Sequence, residues 1–551
     1  MSGKISLSGG VLDAHLGAWS NALACFALLL FPWITPLAGG PSVSVEPWLV
    51  SALCVAIASV LQPVGRLHVD VGLALAALAA WAVIRTGLSS DTLALAAACL
   101  LMFMAAQIAA GGVGRPEFVR VVALAWLAAA ALSTAMALLQ FFGQAELFAP
   151  WISASALGEA FANLRQRNQF ASLTVIGMAS LLWLRPHGLG RWPALAAMCW
   201  LAIGNAATTS RTGLTQMLVL GVLAFAWRGL RRERAGLWLA GLLTYTLAAV
   251  ILPALLEATT GIPGNRLWER VAAVDACSSR TVLWSNVLHL IAQRPWLGWG
   301  WGDLDYAHYM TLYDGARFCD ILDNAHNLPL HLAVELGVPA ALLACGGVIW
   351  GVVRSRPWAE TDPARQMAWA VLVVIAIHSM LEYPLWYGPF QIALGLCLGL
   401  LWPASAGSAR RETTLVANRV VAVLVCFGCA YAFWDYWRVS QIYLPPESRA
   451  PQYREDPLPQ IRNSWLFRSQ ALFAELTITP LTRENATWTH DNALALLHYS
   501  PEPRVIEKLI ESAVMLGLDG EAMVHIARMR AAFPEVYAAW ARSHTSPAAQ
   551  R

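Results

Sequence analysis

Lysine is almost missing from this chain: only Lys4 and Lys508 occur among 551 residues. Aspartate, glutamate, lysine and arginine together make up 13% of the sequence. Soluble domains carry about 25%, so most of this chain cannot be solvated by water. The net charge of +3 gives no basic face for nucleic acid. The positive charge that remains is nearly all arginine, which keeps its proton and grips oxyanions through two parallel hydrogen bonds. A GC-rich genome accounts for much of that bias. Charges are scarce inside the apolar runs, and the first run is too long and lacks a convincing cleavage site for a leader, so it is a retained helix.

What is present is apolar: 58% of residues are hydrophobic and the mean hydropathy is +0.53. At about 20 apolar residues per crossing, the chain divides into thirteen spans near 17–36, 46–62, 69–85, 91–112, 118–142, 168–184, 192–208, 213–228, 234–253, 328–352, 367–384, 387–402 and 417–437. The expected fold is all-α: a polytopic membrane domain over 1–437, a large loop at 254–327 within it, and a small helical domain over 438–551. Arginine falls in every second short loop: Arg66; Arg115 and Arg120; Arg185 and Arg191; Arg228 to Arg234; Arg354, Arg356 and Arg365; Arg410, Arg411 and Arg419. Counting these as cytoplasmic puts the N-terminus inside. Loops 143–167, 209–212, 254–327 and the segment near 385 then share the outer face with the C-terminal domain.

Three outer arginine clusters stand against the positive-inside rule: Arg165-Gln166-Arg167-Asn168-Gln169, Thr209-Ser210-Arg211-Thr212-Gly213 and Ser279-Arg280-Thr281. Any one of them can be an arginine snorkelling to headgroups. Three beside a histidine suit an anion site. His326, in Asn324-Ala325-His326-Asn327, is the candidate base, since imidazole is the side chain best suited to take a proton near neutral pH; capping a loop is the plainer role. Glu382, in Glu382-Tyr383-Pro384-Leu385-Trp386-Tyr387, is a carboxylate near the hydrocarbon edge, where a partner is expected. It can pair with an arginine or orient the histidine.

Other features are weaker. Asp303-Leu304-Asp305 and Asp320-x-x-Asp323-x-x-His326 look like hard-metal ligands, but short acidic pairs in polar loops are usually solvated, and no metal is expected. Trp434-Asp435-Tyr436 reads as interfacial aromatics. Eight cysteines fall in spans as small apolar residues. Cys277 and Cys319 fall in the large outer loop, where an oxidising compartment can pair them or leave two separate thiols. In the last ~110 residues, apolar spacing over 465–477, 503–516 and 521–532 gives amphipathic helices, with no visible repeat near 34 residues.

Ser-Arg-Thr-Gly, Arg280-x-x-x-Trp284 followed by Arg294-Pro295-Trp296-Leu297-Gly298-Trp299-Gly300, and Ala325-His326-Asn327 with Glu335-Leu336-Gly337 resemble the O-antigen ligase/polymerase superfamily. Gln166-Arg167-Asn168, Glu382 to Tyr387, and the segment with Phe467-Arg468-Ser469, Leu481-Thr482-Arg483 and Ser500-Pro501-Glu502 resemble its pilin-glycosylating protein O-oligosaccharyltransferases. The resemblance runs from about 160 to the end. It implies a metal-independent glycosyltransferase of the bacterial inner membrane, working at the periplasmic face with no cofactor. It further implies an undecaprenyl-pyrophosphate-linked glycan as donor and a periplasmic pilin-like protein as acceptor. Carried over, His326, Arg280 and Arg211 are the catalytic residues, and Gln166, Arg167, Tyr383 and Glu382 contact donor or acceptor. Attachment to lipid A-core or to a growing glycan is the alternative. A lipid-glycan transporter fits less well, because the polar groups gather at one face instead of mid-membrane.

Overall fold

The computed structural model of the chain describes residues 9–37, 45–227, 231–263, 277–404 and 411–545. Arg228, the loop stretch 264–276 and Arg410 lie outside those residues. Within them the secondary structure is helical, with an isolated bridge between Leu67 and Pro403. The helices run α1 Gly9–Ile34, α2 Val45–Leu61, α3 Val69–Thr86, α4 Ser90–Gly112, α5 Pro116–Phe141, α6 Arg167–Leu184, α7 Arg191–Ala207, α8 Arg211–Ala226, α9 Arg231–Thr260, α10 Arg280–Gln293, α11 Leu304–Met310, α12 Leu328–Leu336, α13 Val338–Ser355, α14 Pro363–Ser379, α15 Gly388–Leu401 and α16 Arg411–Ser440. Short helices follow: α17 Leu458–Ile461, α18 Arg468–Ile478, α19 Ala486–Leu496, α20 Pro503–Met515, α21 Asp519–Ala532 and α22 Pro534–Thr545.

Among the described residues, six helices are long and apolar enough to cross a membrane: Val69–Thr86, Ser90–Gly112, Pro116–Phe141, Glu233–Thr260, Val338–Ala359 and Leu415–Tyr443. Shorter apolar helices occupy Ser20–Ile34, Val45–Leu61, Arg211–Ala226 and Gly388–Leu401. Each of these lies over one of the thirteen expected spans, except that the expected 328–352 span is two helices, α12 and α13, parted at Gly337 with φ +93.

The chain divides into two compact units. The first comprises Met1–Ala77, Ala97–Ala273 and Ile349–Cys429. Its centre is α6, buried from Gln169 through Leu184 and packed by α5, α7, α8 and α14. A helix apolar on every side belongs in such a position. Small residues let the helices close in: a Cβ at Gly177 would stand 2.6 Å from Ala130 Cβ. Between apolar helices in an apolar solvent, this close approach is the main source of association.

The second unit comprises Leu78–Ala96, Val274–Val348 and Ala430–Arg551. Here the Arg294–Gly300 motif is a scaffold. Trp299 N donates to Val334 O at 2.8 Å, Gly300 N to Glu335 O at 3.0 Å, and Val338 N to Pro295 O at 2.8 Å. Arg294 lies over the Trp299 ring at 4.0 Å. Gly298, at φ +66, crosses so close to α12 that a Cβ would meet the backbone at Glu335, so glycine is obligatory there.

Helices α18 to α22 pack each on the next. Four of their buried positions recur 33 residues apart: Phe473 and Ile506, Leu476 and Leu509, Thr489 and Ala522, Leu496 and Met529. That is close to the period of a tetratricopeptide helix pair. The sequence hides it because only the buried positions repeat.

Candidate functional site

Four helix N-termini carry most of the residues singled out by the sequence, and side chains cap each of them. Helix α6 begins at Arg167, with Gln169 N donating to Gln166 Oε1 at 2.7 Å. Helix α8 begins at Arg211, with Gly213 N donating to Ser210 Oγ at 3.0 Å. Helix α10 begins at Arg280, with Val282 N donating to Ser279 Oγ at 3.3 Å. Helix α12 begins one residue beyond Asn327, whose Oδ1 accepts from Leu330 N at 3.1 Å. The first turn of a helix presents unpaired N–H groups and the positive end of the macrodipole, both of which favour anions. An arginine at the first helical position adds a full charge to that field.

The first unit holds Gln166, Arg167, Arg211, Glu382 and Tyr383. Arg167 and Arg211 are exposed, Gln166 and Tyr383 are half-buried, and Glu382 is 8% exposed. They are drawn together by a residue the sequence reading passed over. Asn168 Nδ2 donates to Glu382 Oε1 at 3.3 Å, while Asn168 Oδ1 accepts from Ser210 Oγ at 2.6 Å. Gly213, in the Ser-Arg-Thr-Gly motif, makes this approach possible: a Cβ there would lie 2.7 Å from Ala171 Cβ and 2.6 Å from Asn205 Oδ1.

One helical turn deeper, the same three helices are joined again. Ser172 Oγ lies 2.9 Å from His378 Nδ1, and Gln216 Nε2 donates to Ser172 Oγ at 2.8 Å and to Val374 O at 2.9 Å. Ser172, Gln216 and His378 are completely buried. The spacing carries the signal. Ser172 is four residues after Asn168 on one face of α6, and His378 is four before Glu382, which lies just past the end of α14 with its N–H donating to His378 O at 2.8 Å. Upstream, Gln140 holds the approach to Gln166, its Oε1 accepting from Phe161 N and Ala162 N at 3.1 and 2.7 Å.

The second unit holds Arg280 and His326, both half-buried. The backbone of His326 is left-handed, at φ +49, a conformation that costs a residue with a side chain on the order of 1 kcal/mol or more. Asn324 holds it there: its Oδ1 accepts from His326 N at 2.8 Å, the turn that asparagine makes with the amide two residues on. Trp284, four residues after Arg280, donates its indole N–H to Ala325 O at 3.1 Å. Cys277 and Cys319 form a disulfide with Cα atoms 5.4 Å apart, closing the loop that the sequence left open. Arg280 and His326 are therefore fixed to one another through a shared backbone frame.

The acidic pairs have other partners. Asp303 Oδ1 accepts from His498 Nδ1 at 2.7 Å, and Asp305 accepts from Tyr306 N at 2.7 Å. Burial, with Glu335 and Asp303 nearby, pushes the Asp305 carboxyl well above the usual carboxylate range. Asp435, read as part of an aromatic belt, instead organises a turn. It accepts from Arg438 Nη2 at 2.6 Å, Ser464 Oγ at 2.8 Å and Leu466 N at 3.2 Å.

Three stretches of the chain match known families. Residues 160–184 match the protein glycosylation ligase family, 194–345 the O-antigen ligase family, and 366–547 the C-terminal region of the virulence factor membrane-bound polymerases. Two proteins of Acinetobacter baylyi are similar. A general O-oligosaccharyltransferase is 23% identical over 288 residues, covering 50% of this chain and 49% of that one. A ComP-specific O-oligosaccharyltransferase is 23% identical over 297 residues, covering 53% and 54%. The chain thus spans about half the length of the curated relatives it matches.

Proposed function

We propose, for a chain that resembles the O-antigen ligase and protein glycosylation ligase families, that it transfers a glycan en bloc from undecaprenyl pyrophosphate to serine or threonine hydroxyls of a periplasmic protein such as a pilin. The observation that carries this reading is the pair of capped helix N-termini opened by Arg211 and Arg280. Both suit a pyrophosphate leaving group.

In the reaction, the acceptor oxygen attacks the anomeric carbon and the bond from that carbon to the phosphate oxygen breaks. The acceptor proton passes to His326, worth ~10²–10⁴ in rate. The electron pair of the broken bond leaves on the pyrophosphate. Charge gathering there is met by Arg211, Arg280 and the helix N–H groups, each such donor contributing about 3–4 kcal/mol by analogy with oxyanion sites. Gln166, Arg167, Glu382 and Tyr383 bind donor or acceptor. Attack in line gives inversion at the sugar.

In this reading the chain crosses the inner membrane thirteen times from a cytoplasmic N-terminus. The 254–327 loop carries the chemistry on the periplasmic face, and the 438–551 domain receives the acceptor. The Cys277–Cys319 disulfide supports an oxidising side. Because 194–345 also matches O-antigen ligases, lipid A-core is the second acceptor to test. The chain would be expressed in a host that makes lipid-linked glycan, lacks its own ligase and exports a pilin. A glycan-sized mass gain on pilin, lost with His326→Ala, is expected. A restored lipopolysaccharide ladder with unmodified pilin would replace protein by lipid as the acceptor.

A further inference from the structure

We infer that Asn168 is a positioning residue of the transferase, one amide that sets Arg211, Tyr383 and the Gln166-Arg167 pair against each other. The inference rests on the transfer reading given above. Each of its contacts is a chain neighbour of a proposed site residue. Asn168 Oδ1 takes the hydroxyl of Ser210, the cap immediately before Arg211. Asn168 Nδ2 binds Glu382, the residue immediately before Tyr383. Asn168 itself follows Gln166 and Arg167 in the first turn of α6.

An amide suits this place better than any other side chain. Ser210 Oγ already accepts from Gly213 N, so its proton must go to an acceptor. Glu382 presents an acceptor, so its neighbour must be a donor. Asparagine offers one of each at fixed separation. The deeper layer of Ser172, His378 and Gln216 holds the same three helices, so losing the upper layer leaves the bundle joined and frees only its mouth. A displacement of about 1 Å at a charge-stabilising group is enough to cost ~10²-fold in rate.

The test uses the full chain in detergent, with undecaprenyl-pyrophosphate-linked glycan and a pilin-like acceptor. Asn168→Asp sets a second carboxylate against Glu382 and keeps the acceptor for Ser210. Its kcat is expected to fall about 100-fold with the donor KM changed less than about threefold, because the arginine acts on charge that develops in the transition state. Adding Glu382→Gln returns a donor opposite the new carboxylate. The kcat cost of Asn168→Asp is expected to shrink from about 100-fold in the parent to less than about tenfold in the Glu382→Gln background, whatever Glu382→Gln costs by itself. A structural role would move melting temperature in step with activity and leave that cost unchanged.

A cost of Asn168→Asp that is the same in the parent and Glu382→Gln backgrounds, or unchanged kcat in Asn168→Asp, would overturn the inference. If Asn168→Asp does not fold, Asn168→Ala removes both bonds without adding charge. Unchanged kcat in folded Asn168→Ala would equally overturn it. Absence of transfer by the parent protein would instead remove the functional reading, so the two failures are distinct.

Discussion

Asp303 and His498 meet at 2.7 Å, with the Tyr306 ring stacked on the imidazole at 3.8 Å between centroids. They lie 195 positions apart in the chain, one in the loop that leads to His326 and the other in the C-terminal helices. Two further contacts hold α11 to those helices: Tyr309 OH lies 2.9 Å from His525 Nδ1, and Arg528 Nε donates to Met310 O at 3.1 Å. The loop and the C-terminal helices are thus one folding unit, and a change in either reaches the other. His498→Ala removes a half-exposed ion pair and a ring stack, together worth about 1 kcal/mol. Faster proteolysis within 304–323, with the C-terminal helices still folded, is the expected readout.

Acid should loosen this unit through two histidines. Burial lowers the His525 pKa from 6.5 to about 4, with Arg528 adding to it. Burial and Arg317 lower that of His308 to about 3. Each stays neutral in the fold, hydrogen-bonded to Tyr309 and Tyr313 respectively. The unfolded chain therefore binds protons first. The stabilisation is complete above about pH 6.5 and is lost as pH falls toward 4 for His525 and toward 3 for His308. At about 1.4 kcal/mol per pKa unit, His525 alone accounts for up to about 3 kcal/mol. Unfolding of the parent and of His525→Phe across pH 7 to 4 checks this, and the variant should show the shallower fall.

The Cys277–Cys319 disulfide closes a loop with a sequence separation of 42, worth about 2–4 kcal/mol by restricting the unfolded chain. Reduction, or Cys319→Ser, should lower the melting temperature of the second unit and release Arg280 from His326. Transfer should fall by about tenfold or more. Equal activity of oxidised and reduced protein would mean that Trp284 and the surrounding core hold that frame unaided.

Two histidines should part company when replaced. His378 is fully buried among Ser172 and Phe390, so it cannot reach a substrate. His378→Ala leaves a cavity and takes one hydrogen bond from Ser172, which Gln216 still holds, costing about 2–4 kcal/mol, with activity per folded molecule retained. His326→Ala should keep its melting temperature and lose transfer by ~10²–10⁴. Asn324→Ala lies between them: the Asx turn goes, His326 leaves its left-handed backbone, and kcat should drop about tenfold with little loss of stability.

Much of this protein was written in local chemistry. Apolar length marked the helices, because lipid admits only segments that satisfy their own backbone. Ser-Arg-Thr, found twice, carries a cap residue ahead of each helix start, yet the sequence alone leaves Arg211 in a short connection and Arg280 inside a long loop, and the fold puts both at N-termini. Asn324 and Asn327 around His326 also act within three residues of themselves. What the sequence could not tell was which distant side chains meet. Nothing local pairs Asn168 with Glu382, Ser172 with His378, or Asp303 with His498, because those contacts depend on how helices stack. The Trp-Leu-Gly-Trp-Gly stretch looked functional and proved to be a scaffold for the same reason: Gly298 is required by a backbone crossing with α12, which exists only in the folded chain. The 33-residue recurrence in α18 to α21 was invisible because packing constrains only the inward positions and leaves the outward ones free to vary.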